Sequence, residues 1–321
     1  MQGITHALSR PRERGAVNVM VALLIIPLIG FAAIAVDVAS VWADRQQLQT
    51  GADAAALGIA QDCAKNDCGV PATTAQDLAT PNKNDSEVTA TVVTSPLTPA
   101  TGSVTVETAS LREHWFAPVL GFDQSDVGAS ATASWGVPSG GVSVLPLAFS
   151  WCEFQLQTGG GLPSTTVEHT IFFTKASKTE CTGPSNNVVP GGFGWLEDDI
   201  DGCTTSTSVD DIVDSSTGAS VPSDCSTADF AALQGRTVLL PIFDDAGDVG
   251  GNAWYRLYGY AAFTITGYHF VGQFSWSNTG ECKGGKQCVQ GYFTEFVDLD
   301  DAFEYSTTAP SLGASVVALE P

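Results

Sequence analysis

Three runs of acids carry the most suggestive chemistry in this chain: Glu197-Asp198-Asp199-Ile200-Asp201-Gly202, Asp244-Asp245-Ala246-Gly247-Asp248 and Asp298-Leu299-Asp300-Asp301. Calcium takes about six to eight oxygens from carboxylates and carbonyls, and loops of this kind can supply them. None completes the D-x-[DN]-x-[DN]-G pattern with its distal glutamate, so solvated turns are the simpler reading and no metal is expected. Histidine offers little. His6 lies near the start, His114 on an expected short helix, and His169 and His269 in strand-like runs, where lone histidines usually pack or face water. There is no G-x-S-x-G elbow, H-E-x-x-H pair or phosphate-binding loop, so neither a catalytic residue nor a cofactor is assigned.

Cysteine is the other reactive type, and there are eight. An even count in a segment outside the cell reads as disulfides, although eight cysteines allow 105 connectivities. Short loops suggest Cys63 with Cys68, Cys282 with Cys288 and Cys203 with Cys225, which leaves Cys152 with Cys181 by elimination. Zinc sites use tight pairs such as C-x-x-C, and none occurs.

These residues need something to hold them outside the cell. Val19 to Val36 is an apolar run without one polar side chain, rising about 27 Å as a helix against a hydrocarbon core of about 30 Å. Counting outward to Ala16 and Ala43 gives length to spare. Arg10, Arg12 and Arg14 precede the run, whereas Arg45 alone follows closely and is offset by Asp37 and Asp44, so the basic end belongs in the cytoplasm. A cleaved signal is the competing reading, with Ala33-Ile34-Ala35 as its A-x-A site. The run is longer than such signals use, and a good helix continues beyond it.

Val41, Leu48, Ala52, Ala55 and Ile59 fall at spacings of seven, four, three and four, which aligns them on one face of that continuing helix. The face is largely alanine and lets another backbone come close. It suits a partner helix or the underside of the chain's own sheet. Asp37, at the membrane edge, is expected to face headgroups or water, or else to pair with a cation on a neighbouring subunit.

The string from Arg12 to Gln61 resembles the N-terminal segment of TadE/TadG-like proteins of Flp (Tad) pilus assembly. The matching pieces are Gly15 and the charges before it, Pro27, Val36-Asp37-Val38, Arg45-Gln46-Gln47-Leu48-Gln49 and Ala52-Asp53-Ala54-Ala55-Ala56-Leu57. Pilin-like proteins trimmed by the prepilin peptidase carry a glutamate five residues after the glycine at the cut; here that residue is Met20. The resemblance is therefore to the unprocessed, anchored branch. Larger TadG-like proteins can carry a von Willebrand A-type domain with a D-x-S-x-S metal site, and Asp214-Ser215-Ser216-Thr217-Gly218 lacks its last serine.

Beyond the helix, Asn66 to Glu87 reads as a loop clipped by Cys63 and Cys68. Val88 to Val93 and Val104 to Thr108 form a hairpin, Leu111 to Gly121 a short helix and Val127 to Trp135 a strand. This order, with the Phe116-Ala117-Pro118-Val119-Leu120-Gly121-Phe122 stretch, also resembles TadE/TadG-like proteins. Ser139-Gly140-Gly141 reads as a hinge. Later strand candidates are Val142 to Trp151, Thr170 to Lys175, Arg236 to Phe243, Trp254 to Thr266, Tyr268 to Trp276 and Val289 to Leu299. The expected class is α+β: a cytoplasmic basic tail (1–14), a transmembrane helix (15–43), a small pilin-like α+β unit (44–138) and a β-rich, disulfide-bonded extracytoplasmic domain (139–321).

Charge narrows the partners. Of thirteen Lys and Arg, three precede the span, leaving ten against thirty-four of the thirty-five acids. So acidic an outer portion argues against nucleic acid and favours solubility. The resemblance implies a non-catalytic, single-pass membrane component of a Tad-type pilus or secretion apparatus. Its partners would be other Tad components, pilin-like subunits and membrane lipid. The alternative is a cell-surface enzyme or ligand-binding protein sharing only the anchor. Because Met20 replaces the glutamate and the apolar run exceeds an ordinary signal, N-terminal sequencing of membrane-extracted protein should find neither a cut after Gly15 nor one after Ala35. A mature start at Ala16 or Val36 would overturn this.

Overall fold

Apart from Pro27, the residues from Arg14 to Ala64 contain no strong helix breaker, and in the computed structural model they form one helix of 51 residues, α1 (Arg14–Ala64). The structure describes residues 14–84, 87–94, 96–199, 202–215, 218–247, 252–270, 272–299 and 302–320. Residues 1–13 of the expected basic tail lie outside them, as do Ile200, Asp201, Asp248, Asp300 and Asp301 of the acidic runs, and Arg14 opens the helix. α1 ends where Asn66 takes a left-handed conformation (φ 64°) and its N–H returns to the Cys63 carbonyl at 2.8 Å. Asparagine tolerates that conformation better than most residues, which stops the helix cleanly.

One sheet covers the second half of α1. Its strands β1 (Thr89–Val92), β2 (Gly102–Glu113) and β3 (Gln124–Ser143) pair antiparallel in sequence, and the C-terminal strand Ala314–Glu320 lies antiparallel on the other side of β3. Alternation along β2 sends Val104 and Val106 inward, where they join Ala131, Ala133, Trp135 and Val317 against Ala52, Ala55, Ala56, Ile59 and Ala60. The helix supplies small side chains and the sheet supplies bulk. Burying one valine fully is worth about 1.5–3 kcal/mol, so the sheet's residues contribute most of this contact.

Two local expectations are corrected. The segment after Cys68 contains a helix, α2 (Pro71–Ala79), followed by a 3-10 turn Thr80–Asn82. Pro71 suits the first helical turn, and Ala75 and Ala79, four apart, are buried. Close approach is possible because α1 has glycines there: a Cβ on Gly58 would lie 2.3 Å from Leu78 Cδ1. The expected helix from Leu111 to Gly121 is instead the end of β2, paired through Glu113 with Gln124, and a 3-10 turn Ala117–Leu120.

The hinge at Ser139-Gly140-Gly141 is also replaced. β3 runs through it, and its far end pairs with Phe303–Ser306 and Thr205–Ser208. Gly141 serves close approach there, since a Cβ would meet the Ala302 carbonyl oxygen at 2.3 Å. The sheet on α1 thus draws strands from both sides of the expected boundary at residue 139. A second sheet has the order His169–Phe172, Cys288–Thr294, Trp254–His269, Thr237–Gly247, Leu147–Ser150, Phe193–Trp195. Trp254 to His269 is one strand, and of the strand expected from Tyr268 to Trp276 the end, Ser275–Trp276, is separate and folds back antiparallel on it. The core of this sheet is aromatic, with Phe149, Phe263 and Phe293 in mutual contact at 4.6–5.6 Å.

The sheets meet where Leu239, Tyr260 and Ala262 pack with Phe303, Ala314 and Val316. Tyr260 is buried there with its hydroxyl on the Thr207 carbonyl at 2.5 Å; burial pushes its phenol up to about 12, so it remains a neutral donor. The four expected cysteine pairs all form: Cys63–Cys68, Cys152–Cys181, Cys203–Cys225 and Cys282–Cys288. Since the C-terminal strand packs on α1 and also joins the core between the sheets, Ala55→Leu should lower the melting point of the whole extramembrane body. Overpacking at a filled site costs about 1–3 kcal/mol. Circular dichroism of the detergent-solubilised chain checks this, and an unchanged melting point would refute it.

Candidate functional site

α1 divides sharply at Asp37. From Asn18 to Val36 its side chains are exposed on every side save a half-buried Ala33, and this apolar half is long enough to span a membrane. From Asp37 onward one face is covered by the chain's own body: Asp37, Asp44, Leu48, Ala52, Ala55, Ile59 and Cys63 are buried, with Val41 packed at the edge. The spacing that placed Val41, Leu48, Ala52, Ala55 and Ile59 on one face was correct, but that face is filled by the sheet. Of the two occupants expected for this face, the chain's own sheet covers Leu48, Ala52, Ala55 and Ile59, while Val41 stays half-buried at the edge.

Asp37 accepts three backbone hydrogen bonds from the segment after β2. Trp115 N–H donates to Oδ1 at 2.9 Å, and Phe116 and Ala117 N–H donate to Oδ2 at 3.1 and 2.7 Å. The carboxylate thus receives the donors that open the 3-10 turn Ala117–Leu120, much as a cap receives those of a helix. Asp37 was expected to face headgroups or water, or a cation on a neighbouring subunit; within the chain its carboxylate is held by these three amides. No local pattern could have found this partner, because 78 residues separate Asp37 from Trp115.

Two turns further along the same face lies a buried charge cluster. Lys83 Nζ meets Asp44 Oδ1 at 2.9 Å, and Arg112 Nη1 lies 3.6 Å from Asp44 Oδ2. The side chains of Lys83 and Asp44 are 1% and 4% exposed, so each needs its partner. This pair ties the segment after α2 to the helix, and Arg112 adds the end of β2. Thr108 Oγ1 donates to the Leu48 carbonyl at 2.9 Å and fixes the register of helix on sheet.

Among the described acids of these runs, Asp244, Asp245 and Asp199 hydrogen-bond to neighbouring segments. Buried Asp244 takes a bidentate pair from Arg256, with Nη2–Oδ2 at 2.8 Å and Nε–Oδ1 at 3.1 Å. Asp245 accepts from Asn187 at 2.6 Å, and Asp199 accepts from Thr204 and Ser206. Among the described residues no group of three or more His, Cys, Asp or Glu converges to hold a metal. Two histidines are engaged likewise: His114 Nε2 lies 2.7 Å from Ser125 Oγ, and His269 contacts Ser275 Oγ and the Gly284 carbonyl, whereas His6 lies outside the described residues.

A hollow of about 380 Å³ lies beside the Cys152–Cys181 bridge, with Glu153, Thr170, Ser177, Thr179, Glu281 and Lys286 in its lining. Burial pushes the Glu153 carboxyl up, opposed by the hydrogen bond from Gly192 N–H at 2.7 Å. Ser177 Oγ also donates to it, at 3.4 Å, and Glu281 is engaged by Lys286 at 2.8 Å. These acids tie neighbouring segments together.

The fold and junction define a class: one membrane-capable helix whose second half is built into an α+β, disulfide-bonded body. Residues 15–62 match the family model of TadE/G-like Flp pilus-assembly proteins. That segment covers both halves of α1, including Asp37, Asp44 and the alanine face, and the match supports a role in Flp pilus assembly. No curated protein and no solved structure matches the chain.

Asp44→Asn keeps the shape of the cluster but removes the charge that compensates Lys83 and Arg112. Breaking a buried pair from one side costs about 3–5 kcal/mol. Urea titration in micelles, followed by tryptophan fluorescence, should show a destabilisation of that order, and a loss below about 1 kcal/mol would place the pair in the range of exposed ones.

Proposed function

We propose that this protein is a non-catalytic, membrane-anchored component of a Tad/Flp-type pilus assembly or secretion apparatus. Its N-terminus lies in the cytoplasm and its disulfide-bonded body projects from the other face of the membrane. The observation that carries this reading is the division of α1 at Asp37. An apolar half with no intramolecular cover needs lipid or other apolar helices, while the other half is committed to the body it carries.

The filled alanine face moves the place where partners would dock. Pilin-like helices would meet the exposed run from Val19 to Val36 inside the bilayer, where packing and small residues such as Gly30, Ala32 and Ala33 govern association. The body would act as a rigid outboard scaffold, because its two sheets share a core. The alternative, an anchored enzyme or binding protein, could draw on the hollow at Glu153, but that carboxylate already serves Gly192 and Ser177. Lipid and pilus components are therefore the partners favoured, with no role for nucleic acid.

Photo-crosslinkers placed at Ile26 and Ile29 in cells should capture a pilin-like or other Tad subunit, and deleting the chain should abolish Flp pili. Crosslinks to lipid alone, together with normal piliation in the deletion strain, would refute the reading.

A further inference from the structure

The turn that Asp37 holds is the most apolar exposed surface outside α1. Trp115 is 71% exposed, Val119 89% and Phe122 66%, with Phe116 also exposed. Large exposed aromatic residues are otherwise scarce: outside α1, Tyr305 is the one further example among the described residues. Single exposed apolar residues need no explanation, but four within eight residues at the tip of one hairpin form a patch that a water-facing loop would not favour.

Its position supplies the occupant. The Trp115, Phe116 and Ala117 amides bond directly to Asp37, the first residue beyond the apolar run, so the tip lies at the level where α1 leaves the hydrocarbon. Tryptophan and phenylalanine side chains at that depth have an apolar environment on one side and headgroups on the other. Asp37 fits the same place, because three donors satisfy its carboxylate where water is scarce. The rim of the hairpin carries Glu113, Asp123 and Asp126, so attraction to anionic headgroups cannot be the driving force. Burial of apolar surface is what remains.

We propose that Trp115–Phe122 is a second, non-spanning membrane anchor, seated in the interfacial layer of the leaflet where α1 emerges. This rests on the reading of α1 as a membrane span. Two attachment points, a helix through the bilayer and a turn within its surface, would fix the tilt and rotation of the body on the membrane. A single helix leaves both free.

The test uses the full-length protein, purified and reconstituted alone into phosphatidylcholine vesicles. With the native cysteines paired, one introduced thiol at a time can be labelled with an environment-sensitive fluorophore, at Val119→Cys, Ile26→Cys and Val188→Cys. Lipids carrying a nitroxide near the headgroup or deep in the acyl chain then report depth. The expected result is a blue shift and quenching at position 119 that is stronger with the shallow nitroxide. Position 26 should be quenched more by the deep one, and position 188, in the two-stranded ribbon Glu180–Thr182/Val188–Pro190, by neither. Quenching at 26 without any at 119 would overturn the second anchor and leave the span standing. No quenching at 26 would remove the span and the proposal with it. If 119 is unquenched in vesicles yet shielded from water-soluble quenchers in native membranes, a protein partner covers the turn and the lipid assignment is wrong.

Discussion

A single helix has two unlike halves, and the residue at which one gives way to the other is Asp37. Before it, apolar side chains point outward in every direction, which water does not tolerate. After it, one face of the helix is dry because a sheet lies on it. An ionisable group at such a boundary would be costly if left bare. Three amide donors from a turn 78 to 80 residues away satisfy it, and the same bonds bring that turn to the boundary. The depth of the body relative to the apolar run follows from this interaction, and so does the exposure of Trp115, Val119 and Phe122.

From there the packing works outward. Alanines at 52, 55, 56 and 60 let β2 and β3 approach the helix backbone, and glycines at 51 and 58 do the same for α2. The C-terminal strand closes the sheet on the far side of β3, so both ends of the chain are needed for one core. Residues shared by the two sheets, Leu239, Tyr260 and Phe303 among them, join the outer part without a hinge. In a body connected this way, force or displacement at the outer sheet reaches α1 through packed side chains.

The strong acidity has a similar explanation. Asp244, Asp199 and Asp229 are spent on an arginine, a turn and a helix cap respectively, and hydrogen bonds from Ser226 hold the Asp229 carboxyl below its ordinary value. Carboxylates are good acceptors for the exposed N–H and O–H groups that turn-rich β structure leaves over. Among the described residues of the acidic runs, Asp199, Asp244 and Asp245 go to different partners.

The residues alone determined what depends on short-range pattern. The apolar run, the helical face from Leu48 to Ile59, the β1–β2 hairpin, the family likeness and the four cysteine pairs were legible, since each rests on spacing within a few tens of residues. Tertiary structure decided what fills the alanine face, for small residues invite a close neighbour without naming it. It also turned the expected hinge into strand, because Gly141 meets Ala302 from the far end of the chain. The partner of Asp37 was likewise beyond local reading. A carboxylate at the end of an apolar run asks for donors, and only the folded chain shows which amides arrive.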